Sequence, residues 1–119
     1  MQLSRTIKVF VIIGLLFLSG VVDTNHLAVA QGSKTFRNPT ITGYRLDWCL
    51  HWAAQCGKPA ADAWCDVKGG KAGGHATNWK IAVDIGASTP TYVIGDKKVC
   101  NQQFCDGFQS ITCSFAGGE

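Results

Sequence analysis

The chain has 119 residues, 46% of them hydrophobic, with 11 Lys and Arg against 8 Asp and Glu for a formal charge of +3. So mild a balance excludes a dedicated nucleic-acid binder, which carries a concentrated basic patch, and Lys97–Lys98 is the only adjacent basic pair. The length excludes more than one sizeable core and predicts a single domain of marginal stability.

Residues 1–8, MQLSRTIK, carry two positive charges and no acid, and residues 9–22, VFVIIGLLFLSGVV, form an uncharged apolar run of fourteen. A membrane-spanning helix needs roughly 20 such residues. The run is followed by polar DTNHL and then by AVAQG, in which Ala28 and Ala30 match the small-x-small pattern that precedes a signal-peptide cleavage point. The expectation is a signal peptide over 1–30, cleaved after Ala30, and an extracellular protein, or a periplasmic one in a bacterium, with no membrane attachment after cleavage. Removing 30 of the 119 residues leaves 89, with all six cysteines, all four tryptophans and a charge of +2.

That compartment decides how the cysteines are read. Cys49, Cys56, Cys65, Cys100, Cys105 and Cys113 follow the spacing C-x6-C-x8-C-x34-C-x4-C-x7-C, and in an oxidising environment six cysteines predict three disulfides. Fifteen pairings are open. The rival is a zinc site, whose ligands come in close pairs because one short loop must deliver both to a tetrahedral ion. Only Cys100 and Cys105 approach that spacing, and His51 and His75 have no matching histidine, so neither metal nor cofactor is expected.

Residues 31–43 are mostly polar and predict an N-terminal arm ahead of a single disulfide-stapled domain over 44–119. From Asp47, a plausible N-cap, the residues Cys49, Trp52, Ala53 and Cys56 recur at helical spacing and predict a first short helix, ended by Gly57 in the left-handed conformation. Pro59 opens a second helix, PAADAWCDV. GGKAGGHA, residues 69–76, predicts a flexible loop. NWKIAVDI alternates with Trp79, Ile81, Val83 and Ile85 inward, the pattern of a half-buried strand. TYVIG and KVC predict a hairpin turning at Gly95-Asp96-Lys97, and Asp106-Gly107 predicts a second tight turn, with Ile111, Cys113 and Phe115 alternating inward. The fold class read from these elements is α+β: two short helices packed on a three- to four-stranded antiparallel sheet. At least one disulfide is expected to join the cysteines at 49, 56 and 65 to those at 100, 105 and 113.

Candidates for chemistry are sparse. His51 lies four residues after Asp47, which in a helix would let the carboxylate orient the imidazole, as in the first two members of a nucleophilic triad. Ser88, Ser110 and Ser114 sit in ordinary contexts and no G-x-S-x-G elbow is present, so no catalytic residue is assigned. Asp62 and Asp66, at i and i+4, read as solvated acids on a helix. No C-x-x-C pair supports thiol redox chemistry. A binding surface remains. Trp52 and Trp64 are assigned to the core with the cysteines, whereas Tyr44 and Trp48, displaced from the cysteine face, are the nominated contact aromatics, with His51 beside them.

The segments YRLDWCLHWAAQCGKPAADAWC, PTYVIGDKKVC and FCDGFQSITC resemble a group of small secreted cysteine-rich proteins of plants and microbes. The resemblance spans about Tyr44 to Cys113 and implies secretion, six paired cysteines and one compact domain; it brings no catalytic residues. The resulting expectation is a monomeric, disulfide-stabilised binding or defence-type module that recognises carbohydrate, a cell surface or a protein partner. Its alternatives are a small secreted hydrolase using His51 with an acid, and an inhibitor or toxin presenting the 69–76 or GASTP loop.

Overall fold

A computed structural model describes residues 32–116. The expected signal peptide lies outside the described residues. The chain runs through strands β1 (Gly32–Arg37), β2 (Thr40–Ile41), β3 (Tyr44–Leu46), β4 (Cys49–His51) and β5 (Ala54–Cys56), the helix α1 (Lys58–Lys68) and a 3-10 turn at Gly70–Ala72. It ends in β6 (Gly74–Ala82), β7 (Thr91–Val93), β8 (Lys98–Cys100) and β9 (Gly107–Phe115). Three sheets result, of order β1-β9-β6, β2-β3-β7-β8 and β4-β5.

Among the described residues the small disulfide-rich fold is therefore mostly sheet, with one α-helix. The expected first helix is instead the β4–β5 hairpin, in which Cys49 lies directly opposite Cys56. Ala53 (φ 57°) and Gln55 (φ 54°) take left-handed conformations that a right-handed helix excludes. Gly57 has the positive φ that glycine tolerates (79°), but with ψ −117° it is not in the left-handed helical conformation expected, and it joins the hairpin to α1 rather than ending a helix. The pairing is antiparallel except between β3 and β7, which run parallel.

Helix α1 forms where Pro59 predicts it. Proline occupies the first turn, Lys68 lies in the last turn beside the carbonyl end of the helix, and Ala60, Ala61, Trp64 and Cys65 make one buried face. That face packs on the long β6–β9 pair. Asp62 anchors it, accepting from the Ala76 N–H at 2.7 Å and from Lys58 Nζ at 2.7 Å. Asp62 is thus a helix-to-sheet tie rather than the solvated acid expected from the sequence.

Residues 32–37, read as part of a loose arm, are the edge strand β1, paired along their whole length with β9. They look polar because an edge strand with one solvated face has few inward positions. Phe36 fills one of them and meets Trp64 edge-on at 4.9 Å. Strand β6 begins at Gly74, inside the expected glycine loop, and ends at Ala82. Register shifts at Ala76/Asn78 and Lys80/Ile81 break its alternation, so Trp79 turns inward while Ile81 and Val83 are exposed.

Strand β9 keeps its predicted phase, with Ile111, Cys113 and Phe115 buried, and β7–β8 is the predicted hairpin. The Asp106-Gly107 turn is absent: Gly107 opens β9, and Asp106 Oδ1 accepts from the Asp84 N–H at 2.7 Å. The core gathers Leu46, Trp64, Cys65, Phe108, Ile111, Cys113 and Phe115. Complete burial of Leu46, Phe108 and Ile111 stabilises the fold by roughly 1.5–3 kcal/mol each. Three disulfides join Cys49–Cys56, Cys65–Cys113 and Cys100–Cys105, and Cys65–Cys113 is the expected link between the two cysteine groups.

Candidate functional site

The two short disulfides lie on either side of one cleft. The first wall is the β4–β5 hairpin, and its position follows from a set of backbone bonds. Trp48 N–H donates to Asp106 O at 2.8 Å, Gly57 N–H to Trp48 O at 2.8 Å, and Gly95 N–H to Leu50 O at 2.8 Å. Gly95 is required by close approach: a Cβ there would stand 2.4 Å from Leu50 O and 2.8 Å from His51 Cε1. The opposite wall is the loop closed by Cys100–Cys105, only five positions apart, where Gln102 N–H donates to Cys105 Sγ at 3.2 Å. So short a closed loop leaves Phe104 no core to turn into, and it is 62% exposed.

Between these walls is a cleft of about 210 Å³ whose lining includes Trp48, Trp52, Phe104, Asp47 and Asp106. Trp48 is half-buried, its ring 4.8 Å from Phe108, so it forms a fixed floor. Trp52, at the hairpin tip, is 46% exposed. The lining contains two carboxylates and no lysine or arginine.

Asp47 is buried at the base. It accepts from Thr91 Oγ1 at 2.5 Å and from the Cys49 N–H at 2.9 Å, tying the entry of β4 to β7. Burial raises its carboxyl pKa above the ordinary value; the two hydrogen bonds oppose this, and the nearby Asp106 charge adds to it. Its expected role as a helix N-cap next to His51 is corrected: no helix follows, and the histidine has another partner.

That partner is Asp96, on the β7–β8 turn. His51 Nδ1 lies 2.7 Å from Asp96 Oδ1, and Trp52 N–H donates to Asp96 Oδ2 at 2.8 Å. The bond from His51, then that from Trp52, lower the Asp96 carboxyl below the usual carboxylate range. An ionised carboxylate only accepts, so His51 Nδ1 carries the proton in this pair. Among the described residues no serine is hydrogen-bonded to His51, and all six cysteines are in disulfides. No group of three or more His, Cys, Asp or Glu among the described residues could hold a metal ion.

Of the three nominated residues, Trp48 lines the cleft, His51 stands beside its Trp52 rim, and Tyr44 lies elsewhere. Tyr44 is 38% exposed on β3 and stacks against Tyr92, with ring centroids 6.2 Å apart. Sequence reasoning placed Trp52 in the core and passed over Phe104 and Asp96. The signal for Phe104 was its place between two closely spaced cysteines. A second, shallower groove runs past Phe36, Arg37, Trp64 and Lys68. There the aromatic faces are already covered, since Lys68 Nζ lies 5.4 Å from the Phe36 ring and 5.5 Å from that of Trp64. No helix among the described residues is long and apolar enough to cross a membrane.

Comparison with protein-family models, with curated proteins and with solved structures finds no match to the chain.

Proposed function

We propose that this chain is a secreted recognition module that binds carbohydrate in the cleft between the β4–β5 hairpin and the Cys100–Cys105 loop. The observation that carries the reading is the grouping of Trp48, Trp52 and Phe104 around one concave surface, two of them substantially exposed. Large exposed apolar rings lose hydration free energy to no structural end, whereas a flat aromatic face against a sugar ring recovers it on binding. Rigid walls favour the same reading. Two disulfides and the Asp47–Thr91 bond hold the cleft in shape, so little ordering entropy opposes association. Secretion is supported by the leader pattern and by three disulfides in so small a domain.

The test is retention on insoluble polysaccharides together with titration of tryptophan fluorescence by soluble oligosaccharides. Trp52→Ala and Phe104→Ala should each weaken binding about tenfold with the fold unchanged by circular dichroism. Saturable binding that survives both substitutions would move the ligand off this cleft.

A second reading, a hydrolase, draws on the exposed His51–Asp96 pair, a histidine oriented by a carboxylate and with no partner at its other ring nitrogen among the described residues. Any hydrolytic activity of the purified protein must then disappear in His51→Ala; activity that persists removes this reading.

A further inference from the structure

The charge lining the cleft narrows the ligand class. The chain after residue 30 carries nine Lys and Arg against seven Asp and Glu, yet both charged groups that line the cleft are carboxylates, Asp47 and Asp106. Their bonding differs. Asp47 is filled by Thr91 and the Cys49 N–H, whereas Asp106 has one bond, from the Asp84 N–H to Oδ1, and its Oδ2 has none among the described residues. Burial is the main cause of the raised Asp47 pKa, and the Asp106 charge adds the smallest share. A cation bound at Asp106 would meet an unfilled carboxylate oxygen in a cleft that Trp48, Trp52 and Phe104 also line. The basic groove at Phe36 and Lys68, on β1 and α1, offers the opposite charge and no uncovered ring face.

We infer that the ligand is an amino-sugar oligomer bearing free protonated amines, one ring of which stacks on the Trp52 and Phe104 rim while its ammonium pairs with Asp106. This rests on the carbohydrate-binding reading above. The ligand's two features answer the cleft's two features: the pyranose face covers the aromatic rim, and the amine meets the unfilled carboxylate oxygen. A free lysine side chain would satisfy the charge and leave most of the rim uncovered. The cleft, at about 210 Å³, is of a size for one ring rather than a chain laid along it.

The experiment is calorimetric titration of the disulfide-intact protein with four probes: a glucosamine tetramer, its fully N-acetylated counterpart, an uncharged glucose tetramer and an oligolysine peptide. The glucosamine tetramer should bind at least tenfold more tightly than either other sugar, and more weakly as salt is raised. Asp106→Asn keeps the oxygen that accepts from Asp84 and removes the charge. It should weaken the glucosamine tetramer about tenfold and leave the thermal midpoint near that of the wild type. Equal binding of the three sugars, insensitive to Asp106→Asn, would overturn the amine inference and leave carbohydrate binding standing. Binding of oligolysine alone would overturn the amine inference and the sugar reading, leaving an acidic aromatic cleft for basic peptides. Binding of none of the probes, with other polysaccharides also failing, would overturn both.

Discussion

The Cys65–Cys113 region and the cleft region use the same bond for different purposes. Cys65–Cys113 joins α1 to β9 across 48 positions in the centre of the core, where both cysteines are fully buried. Cys49–Cys56 spans 7 positions on the partly exposed β4–β5 hairpin, and Cys100–Cys105 spans 5, buried with Val93 in a small cluster apart from the main core. Loop-closure entropy makes the first worth about 4 kcal/mol and each of the others about 2. The difference teaches that the long bridge supplies stability, while the short ones chiefly set the shape of two loops that lie outside the main core.

The largest expected effect tests that difference directly. Replacing Cys65 and Cys113 together with alanine should remove about 4 kcal/mol, much of the total stability of a domain this small, and leave it largely unfolded at 37 °C. Replacing Cys100 and Cys105 together should cost about 2 kcal/mol and leave a cooperative transition in urea. Equal losses from the two pairs would break the comparison.

Next in size is Gly95→Ala. The added Cβ meets Leu50 O and the His51 ring, so the hairpin must shift away from β7, at about 1–3 kcal/mol by chemical denaturation. The same shift should part His51 from Asp96 and return the Asp96 carboxyl toward its ordinary range, which carboxylate titration by NMR would follow. A destabilised variant whose Asp96 still titrates low would show that the hairpin moves as a unit with the turn.

The two regions were not equally legible in the sequence. Around the core, local pattern and tertiary demand agree: Pro59 starts a helix whose apolar face is buried, and the alternation of Ile111, Cys113 and Phe115 is the alternation seen in β9. Around the cleft they diverge. Cys49, Trp52, Ala53 and Cys56 fit a helical face, but the same spacing places two cysteines opposite each other across a hairpin. The turn between them lacks the glycine, proline or asparagine that would announce it, and Ala53 is held left-handed by its surroundings. The β6 alternation failed for another local reason, two bulges that no composition signals. The His51–Asp96 bond joins residues 45 apart, beyond any periodicity argument.

Acid titration sharpens the contrast further, because Asp47 and Asp96 act with opposite signs. Asp96 has a folded pKa below its ordinary 3.8, so its contribution is present above that value and is lost as pH falls through the folded one. Asp47 has a folded pKa above 3.8, so stability declines as pH rises from 3.8 through the folded value. The gap in thermal midpoint between wild type and Asp96→Asn should therefore be present at neutral pH and close below 3.8. A gap constant through that range would mean that the Asp96 charge contributes nothing to the hairpin's position.

The smallest expected effect on stability belongs to the cleft rim. Trp52 and Phe104 are exposed and belong to neither core cluster, so Trp52→Ala and Phe104→Ala should each change stability by no more than about 0.5 kcal/mol. Trp48→Ala, by contrast, removes a ring seated against Phe108 and should cost several-fold more. Urea denaturation of the three variants beside sugar titrations would then separate two kinds of aromatic within one cleft. The floor should affect both stability and binding, and the rim binding alone. A rim substitution that destabilised the fold as much as Trp48→Ala would mean that these rings close over the core, and the cleft would lose the exposed faces on which the proposed ligand would stack.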